Sequence, residues 1–324
     1  MSRTFGWIRR WGISAASFVG GLLTLFVFRR GLPNVGWIVG YLLLLWLLFA
    51  LLTQLRDALE TRARLVVVAA DYTIQSLYHG LLLFVLPAYY ASATLGSRNV
   101  FFVALLAFLT LLATFDPVYQ VVVHPRPWLS YLFFVVAIFA ALNVALALVG
   151  LPPYFALVAS SFVAVVALTP VVRRARQLDW PGALRLTILF AVGAATLAAI
   201  GRAWIPPAPL VLASAVLAWN EGSVESQEPV VSAIAAEELH QRGLVAYTAI
   251  YAPAGLRQQI EHVWCREGRA VDVVRLSPVL GGRREGFRTF SRKTGFPADA
   301  VGHWSVDVMT SSGQLIGRLR FRVI

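Results

Sequence analysis

Seven long apolar runs within the first 203 residues limit how this chain can fold more than any other feature: Trp11–Phe28, Val35–Leu55, Leu65–Ala91, Val100–Phe115, Leu129–Gly150, Tyr154–Val172 and Leu184–Ile200. A helix needs about 20 apolar residues to cross a bilayer, so each run reads as a membrane span. The fourth is short for this and the third is longer than necessary. Pro33, Pro125, Pro127, Pro152, Pro153 and Pro181 fall between the runs, where helix breakers belong. Trp11, Trp37, Tyr89, Tyr90, Trp128, Trp180 and Trp204 lie near run ends, as interfacial aromatics do. Hydrophobic residues make up 58% of the chain and charged residues 14%. A soluble domain has about 45–50% and about 25%. The imbalance belongs to this half alone, since residues 220 to 324 have an ordinary soluble composition.

The first run is too long and too apolar for a cleaved signal, and no small-x-small site follows it before Arg29. The Arg9–Arg10–Trp11 sequence has only a superficial likeness to a twin-arginine signal. Charge then orients the bundle. With the N-terminus inside, the inner segments carry Arg3, Arg9, Arg10, Arg56, Arg62, Arg64, Arg126, Arg173, Arg174 and Arg176, and the outer loops only Arg29, Arg30 and Arg98. Positive charge collects on the cytoplasmic side, so seven spans leave the C-terminus outside the cytoplasm, in the periplasm of a Gram-negative cell. The net charge of +12 does not point to nucleic acid. Up to Arg202 there are 15 basic and 5 acidic residues, and beyond it 13 and 11, so the excess sits in short inter-helix loops.

The third run carries a polar stripe. Asp71, Gln75 and His79 stand at i, i+4 and i+8 and share one helical face. If the span begins at Leu65, Asp71 lies about 9 Å in and His79 is past the midplane. If it begins near Tyr72, only His79 is deep. Asp116, His124 and Arg126 follow the fourth run in a segment that reads as a cytoplasmic loop, and an Asp71–Arg126 pair is geometrically possible. Such groups tie membrane helices together by hydrogen bonds, or they line a proton or ion path. The usual metal-ligand spacings are lacking, so no metal and no cofactor are expected. Gly193, Ala194, Ala195, Ala198 and Ala199 read as a close-packing stripe in the last span.

Past Arg202 the pattern changes. Residues 204–229 read as a linker or first strand: the apolar stretch from Pro209 to Trp219 is too short to span. From residue 230, runs at 243–251, 259–265, 270–279, 286–292, 303–310 and 315–323 read as strands separated by turn signals. Leu319, Phe321 and Val323 alternate with Arg318, Arg320 and Arg322, and Glu267–Gly268 and Ser311–Gly313 read as hairpin turns. The expected architecture is therefore a membrane all-α bundle of about seven helices over residues 1–203, followed by a small all-β sandwich of immunoglobulin-like type over 230–324. It would lack that fold's disulfide, since Cys265 is the only cysteine.

Three segments of the C-terminal part, "IEHVWCREG", "GGRREGFRTFS" and "GHWSVDVMTSSGQLIGRLRFRVI", resemble a small bacterial module of unknown function. "LYHGLLLFVLPAYYASAT" and the following "DP" resemble the multi-pass membrane region often fused ahead of that module. The resemblance covers nearly the whole chain. It implies the same two-part architecture in a bacterial envelope protein, and no activity.

Motifs for chemistry are thin: there is no HExxH, CxxC, Walker loop or GxSxG. "GGRREG" lacks the Lys-Ser/Thr of a phosphate loop, and "EELH" at 237–240 is a common accident. Basic residues do cluster, with Arg283, Arg284, Arg288, Arg292 and Lys293 accompanied by Glu285 alone. Arg288, Phe290 and Arg292 share a strand face, and His262 and Trp264 share another. Arginine beside aromatics suits an anionic glycan or lipid head group, whereas a solvated strand face is the plainer account. The sequence reading is thus a non-catalytic inner-membrane protein whose periplasmic domain binds an envelope protein or an anionic glycan or lipid. A transporter using the stripe Asp71, Gln75 and His79 is the alternative. Candidate ligand-binding residues are His262, Arg283, Arg288 and Arg292.

Overall fold

The computed structural model describes residues 35–62, 64–123, 125–219 and 233–324. The expected first span, His124 and the part of the 204–229 segment beyond Trp219 lie outside the described residues. The chain forms two compact units. One holds Phe101–Leu146, Phe155–Gly201 and the described residues up to Ala88. The other holds Tyr89–Val100, Ala147–Tyr154 and Arg202–Ile324.

The first unit is helical. Its elements are α1 (Val35–Arg62), α2 (Arg64–Ala91), α3 (Val100–Thr114), α4 (Asp116–Val122), α5 (Pro127–Leu148), α6 (Pro153–Val166), α7 (Thr169–Arg176) and α8 (Trp180–Ile200). Among the described residues four helical stretches are long and apolar enough to cross a membrane: Ile38–Leu55, Pro127–Leu148, Pro153–Arg176 and Trp180–Trp204. A fifth results if α3 and α4, bent by 103°, count as one. At 28 residues α2 is long enough, but Asp71, Gln75 and His79 make it less apolar than those four.

The segment read as a cytoplasmic loop after Phe115 is instead the helix α4. Phe115 is extended, Pro117 fits the first turn because the N–H it lacks would be unpaired there, and Asp116 favours the positive helix end. The Asp71–Arg126 pair that the sequence allows is not formed. Arg126 instead donates to the carbonyls of Val121 and Val122 (3.4 and 2.7 Å) at the end of α4. Gly193 marks no close contact, since a Cβ there would meet nothing within 4 Å, and α8 is the least buried of the apolar helices.

Polar side chains repair the break between α6 and α7. Trp46 Nε1 donates to the Ala167 carbonyl (3.2 Å) and Gln54 Nε2 to the Pro170 carbonyl (2.7 Å). Gln54 Oε1 accepts from Arg173 (2.7 Å), whose guanidinium lies 4.7 Å from the Trp180 ring centre. In an apolar surround every exposed carbonyl needs such a donor. α8 opens with Asp179 accepting from the Gly182 N–H (3.1 Å).

The second unit is β-rich: β1 (Val211–Ala218), β2 (Ala233–Ile234), α9 (Ala236–Arg242), β3 (Leu244–Tyr251), β4 (Arg257–Gln258), β5 (Ile260–Arg266), β6 (Arg269–Arg275), β7 (Val279–Leu280), β8 (Phe287–Lys293), β9 (Gly302–Thr310) and β10 (Leu315–Val323). Three strands form one sheet in the order β1-β3-β8, and five form another in the order β2-β10-β9-β5-β6. The apolar stretch before the linker is therefore a strand. It pairs antiparallel with β3 from Val211↔Tyr251 to Ala218↔Val245. Period-two alternation sends one set of side chains from each sheet into a shared core: Ala246 and Ile250 from the small sheet, and Ile260, Trp264, Trp304, Val306, Val308, Leu319 and Phe321 from the large one. Trp264, Phe296, Trp304 and Phe321 make edge and stacked ring contacts at 5.3–6.4 Å. The hairpin between β5 and β6 turns on Glu267 and Gly268, both at positive φ, as a tight two-residue loop requires.

Two loops between helices belong to this unit. Asn99 Nδ2 donates to the Leu315 carbonyl (3.2 Å), Arg98 lies 6.0 Å from the Trp204 ring, and Gly150 packs so closely on Gly255 that a Cβ would lie 3.2 Å from its carbonyl oxygen.

Candidate functional site

The polar stripe of α2 faces into the helical unit. Gln75 is 2% exposed and donates from Nε2 to the Ala113 carbonyl (3.0 Å) and to Asp116 Oδ1 (2.6 Å), which fastens α2 to the bend between α3 and α4. His79 is 3% exposed, and its Nε2 has no partner. Asp71 is partly exposed and engaged within the protein. Of the second sequence group, Asp116 joins Gln75, Arg126 is exposed at the end of α4, and His124 lies outside the described residues.

Asp71 also opens onto a cavity of about 220 Å³ between α1, α2, α4, α5 and α7. Tyr78, Tyr119, Gln120, Ser130, Tyr131 and Arg174 share its wall. Arg174 Nη1 also donates to the Thr53 carbonyl. Sequence reading did not single out these partners. Tyr78 was within reach of it, because at i+7 from Asp71 it lies on the same helical face. The others come from elements far apart in the chain.

In the β unit the two candidate groups separate. Arg288 and Arg292 are exposed on β8, with Phe290 between them 45% exposed and packed at 5.3 Å on Tyr247. Arg283, Arg284, Glu285 and Arg288 surround a shallow cavity of about 430 Å³ in the loop before β8. Arg283 lies 5.0 Å from the Phe287 ring, and Arg288 makes a 3.4 Å solvent-exposed pair with Glu285. Such exposed pairs hold little energy, so the arginines are available to an anion.

His262 is not on that face. It is fully buried between the sheets, where Trp264 Nε1 donates to Ser291 Oγ (3.2 Å), Ser291 Oγ meets His262 Nδ1 (2.8 Å) and His262 Nε2 meets Thr248 Oγ1 (3.0 Å). Donor counting orders this chain. The indole can only donate, so Ser291 Oγ accepts from it, and placing the serine proton on Nδ1 and the imidazole proton on Nε2 leaves no buried proton of the chain unused. Burial lowers the His262 pKa from 6.5 to about 4, so the ring is neutral at pH 7. The serine and histidine resemble a nucleophile and its base, but a substrate has no way in. Their place is structural, pinning β3 and β8 of one sheet to β5 of the other. Burial likewise raises the Cys265 pKa, which makes the thiol a weak nucleophile.

Lys293, the only lysine, adds a second link between the sheets. It is 7% exposed and bonds Asp272 of β6 at 2.9 Å from β8. No group of three or more metal-ligating side chains occurs among the described residues.

The molecule thus combines a helical unit, bearing four membrane-length apolar helical stretches among the described residues, with a β-rich unit to which residues 89–100 and 147–154 also belong. Residues 2–246 match the family described as a family of unknown function (DUF5924), and the chain belongs to that family. Residues 257–323 match a second, described as a protein of unknown function (DUF2914). The first match ends inside β3, so the β unit is assembled from both sequence regions. No curated protein and no solved structure matches the chain.

Proposed function

We propose that this is a bacterial inner-membrane protein with seven spans and a cytoplasmic N-terminus, whose periplasmic β unit recognises an envelope partner or an anionic envelope component without catalysing a reaction. The observation that carries recognition is the exposed arginine group Arg283, Arg284 and Arg288 around one cavity, with one acid, Glu285, among them and Phe290 exposed two residues beyond Arg288 on β8. Guanidinium groups of this kind pair bidentately with phosphate and carboxylate. The seven-span reading is supported by the loops 89–100 and 147–154. They follow the third and fifth runs, so in that topology they lie on the same side as the C-terminus, and they belong to the β unit. The two-layer, mainly antiparallel packing supports an immunoglobulin-like sandwich.

An anionic polysaccharide titrated against the purified full chain tests the reading. Replacing Arg283, Arg284 and Arg288 by alanine should weaken binding at least tenfold and flatten its dependence on salt. Unchanged binding would remove the arginine group from the account. A transporter remains the second reading, favoured by the buried Gln75 and His79 and by the polar cavity onto which Asp71 of the same stripe opens. Under that reading His79→Leu abolishes flux in reconstituted vesicles while the protein still inserts and folds.

A further inference from the structure

We infer that the cavity between α1, α2, α4, α5 and α7 binds a small zwitterion, one carrying a protonated amine and an anionic oxygen group a few bonds apart. The inference does not depend on the β unit binding anything. The cavity lining carries one charge of each sign, Asp71 and Arg174. A simple cation would be repelled by Arg174 and a simple anion by Asp71, whereas a molecule with both charges meets an opposite charge at each end. Asp71 and Arg174 already have contacts within the protein, so the ligand would share them. Tyr78, Tyr119 and Tyr131 add aromatic side chains to the wall, which suit an ammonium group. The volume of about 220 Å³ limits the ligand to an amino acid or a head group in size.

A separate observation concerns the wall of the cavity. Tyr78 lines it, is 1% exposed, and has no hydrogen-bond partner for its hydroxyl. A buried hydroxyl left without a partner is costly, and phenylalanine would fill the same wall without that cost. The hydroxyl is closed off from the cavity, so a polar occupant reaches it and removes the penalty once the Tyr78 ring turns toward the cavity. His79 Nε2 and Gln75 Oε1 are also without partners, but neither residue lines this cavity.

The same chemistry occurs in free solutes and in an ethanolamine phospholipid head group, so the test has two arms. In the first, O-phosphoethanolamine, β-alanine, ethylamine and inorganic phosphate are titrated against the full chain in detergent and followed by calorimetry. In the second, the protein is taken from nanodiscs of mixed phosphatidylethanolamine and phosphatidylglycerol, and retained lipid is read by native mass spectrometry. Either a free zwitterion binding at least tenfold tighter than ethylamine or phosphate, or selective retention of phosphatidylethanolamine, is expected. Asp71→Asn and Arg174→Gln should each weaken that binding at least tenfold. Tyr78→Phe, which keeps the ring and so the packing, should weaken it severalfold with the melting temperature unchanged or raised. The idea is overturned if neither arm shows binding, if ethylamine or phosphate binds as well as the zwitterions, or if Tyr78→Phe leaves binding intact, water alone then filling the cavity.

Discussion

His262 and Lys293 show how much a single side chain's meaning depends on what surrounds it. The histidine was a ligand candidate because it shares a strand face with Trp264, but that face is the one turned into the core. There its neutral form completes a chain of three hydrogen bonds. Its folded pKa of about 4 lies below the unfolded value of 6.5. Between those values the unfolded chain holds a proton that the folded chain lacks, so stability falls as pH falls through the window and levels off below it. The loss amounts to about 3 kcal/mol at most. Guanidinium unfolding at pH 7 and pH 4.5 should show it, and His262→Leu combined with Thr248→Val should remove most of the difference. Lys293 faces the same core edge, so Asp272→Ala should cost about 1–3 kcal/mol by leaving a buried ammonium without its partner. Asp272 is 45% exposed, which keeps the cost below that of a fully buried pair.

Elements are held by contacts that their own sequences do not announce. The α2 stripe was legible as a face from its spacing, but spacing could not say that Gln75 would reach the bend between α3 and α4. Gln75→Leu should loosen that junction by about 1 kcal/mol, the scale of membrane hydrogen bonds, as read from thermal unfolding in detergent. The loop between β7 and β8 gives a sharper case. A Cβ at Gly281 would collide with the Pro253 carbonyl, a backbone group that cannot step aside. Gly281→Ala should therefore destabilise the β unit strongly, while Gly268→Ala, where nothing lies within 4 Å, should cost only the strain of its positive φ. Paired melts of the two variants check this.

For the whole molecule the division into units predicts which fragments fold. β3 is the central strand of the small sheet, with β1 on one side and β8 on the other. A fragment starting at Arg202 keeps all three. One starting at 230, the boundary read from the sequence, loses β1 and bares an edge of β3, and one starting at Arg257 loses β3 as well. Cooperative unfolding should be clearest in the first, weaker in the second and absent in the third, followed by circular dichroism and chemical denaturation. Topology is tested separately. Alkaline phosphatase fused after Ile324 should be active, and a fusion within 177–179 silent. The opposite pattern would reverse the orientation.

By itself the sequence determined what local pattern can determine. Continuous apolar runs require helices whose backbone groups bond internally, and period-two alternation at Leu319, Phe321 and Val323 requires a strand with one buried face. Both follow from a residue's near neighbours. The tertiary structure alone decided which distant segments meet: β1 beside β3, Gln75 on Asp116, His262 between Thr248 and Ser291, and Asp71 with Arg174 around one cavity. Those pairings depend on how whole elements pack, and spacing within one strand or helix carries no record of the partner it will face.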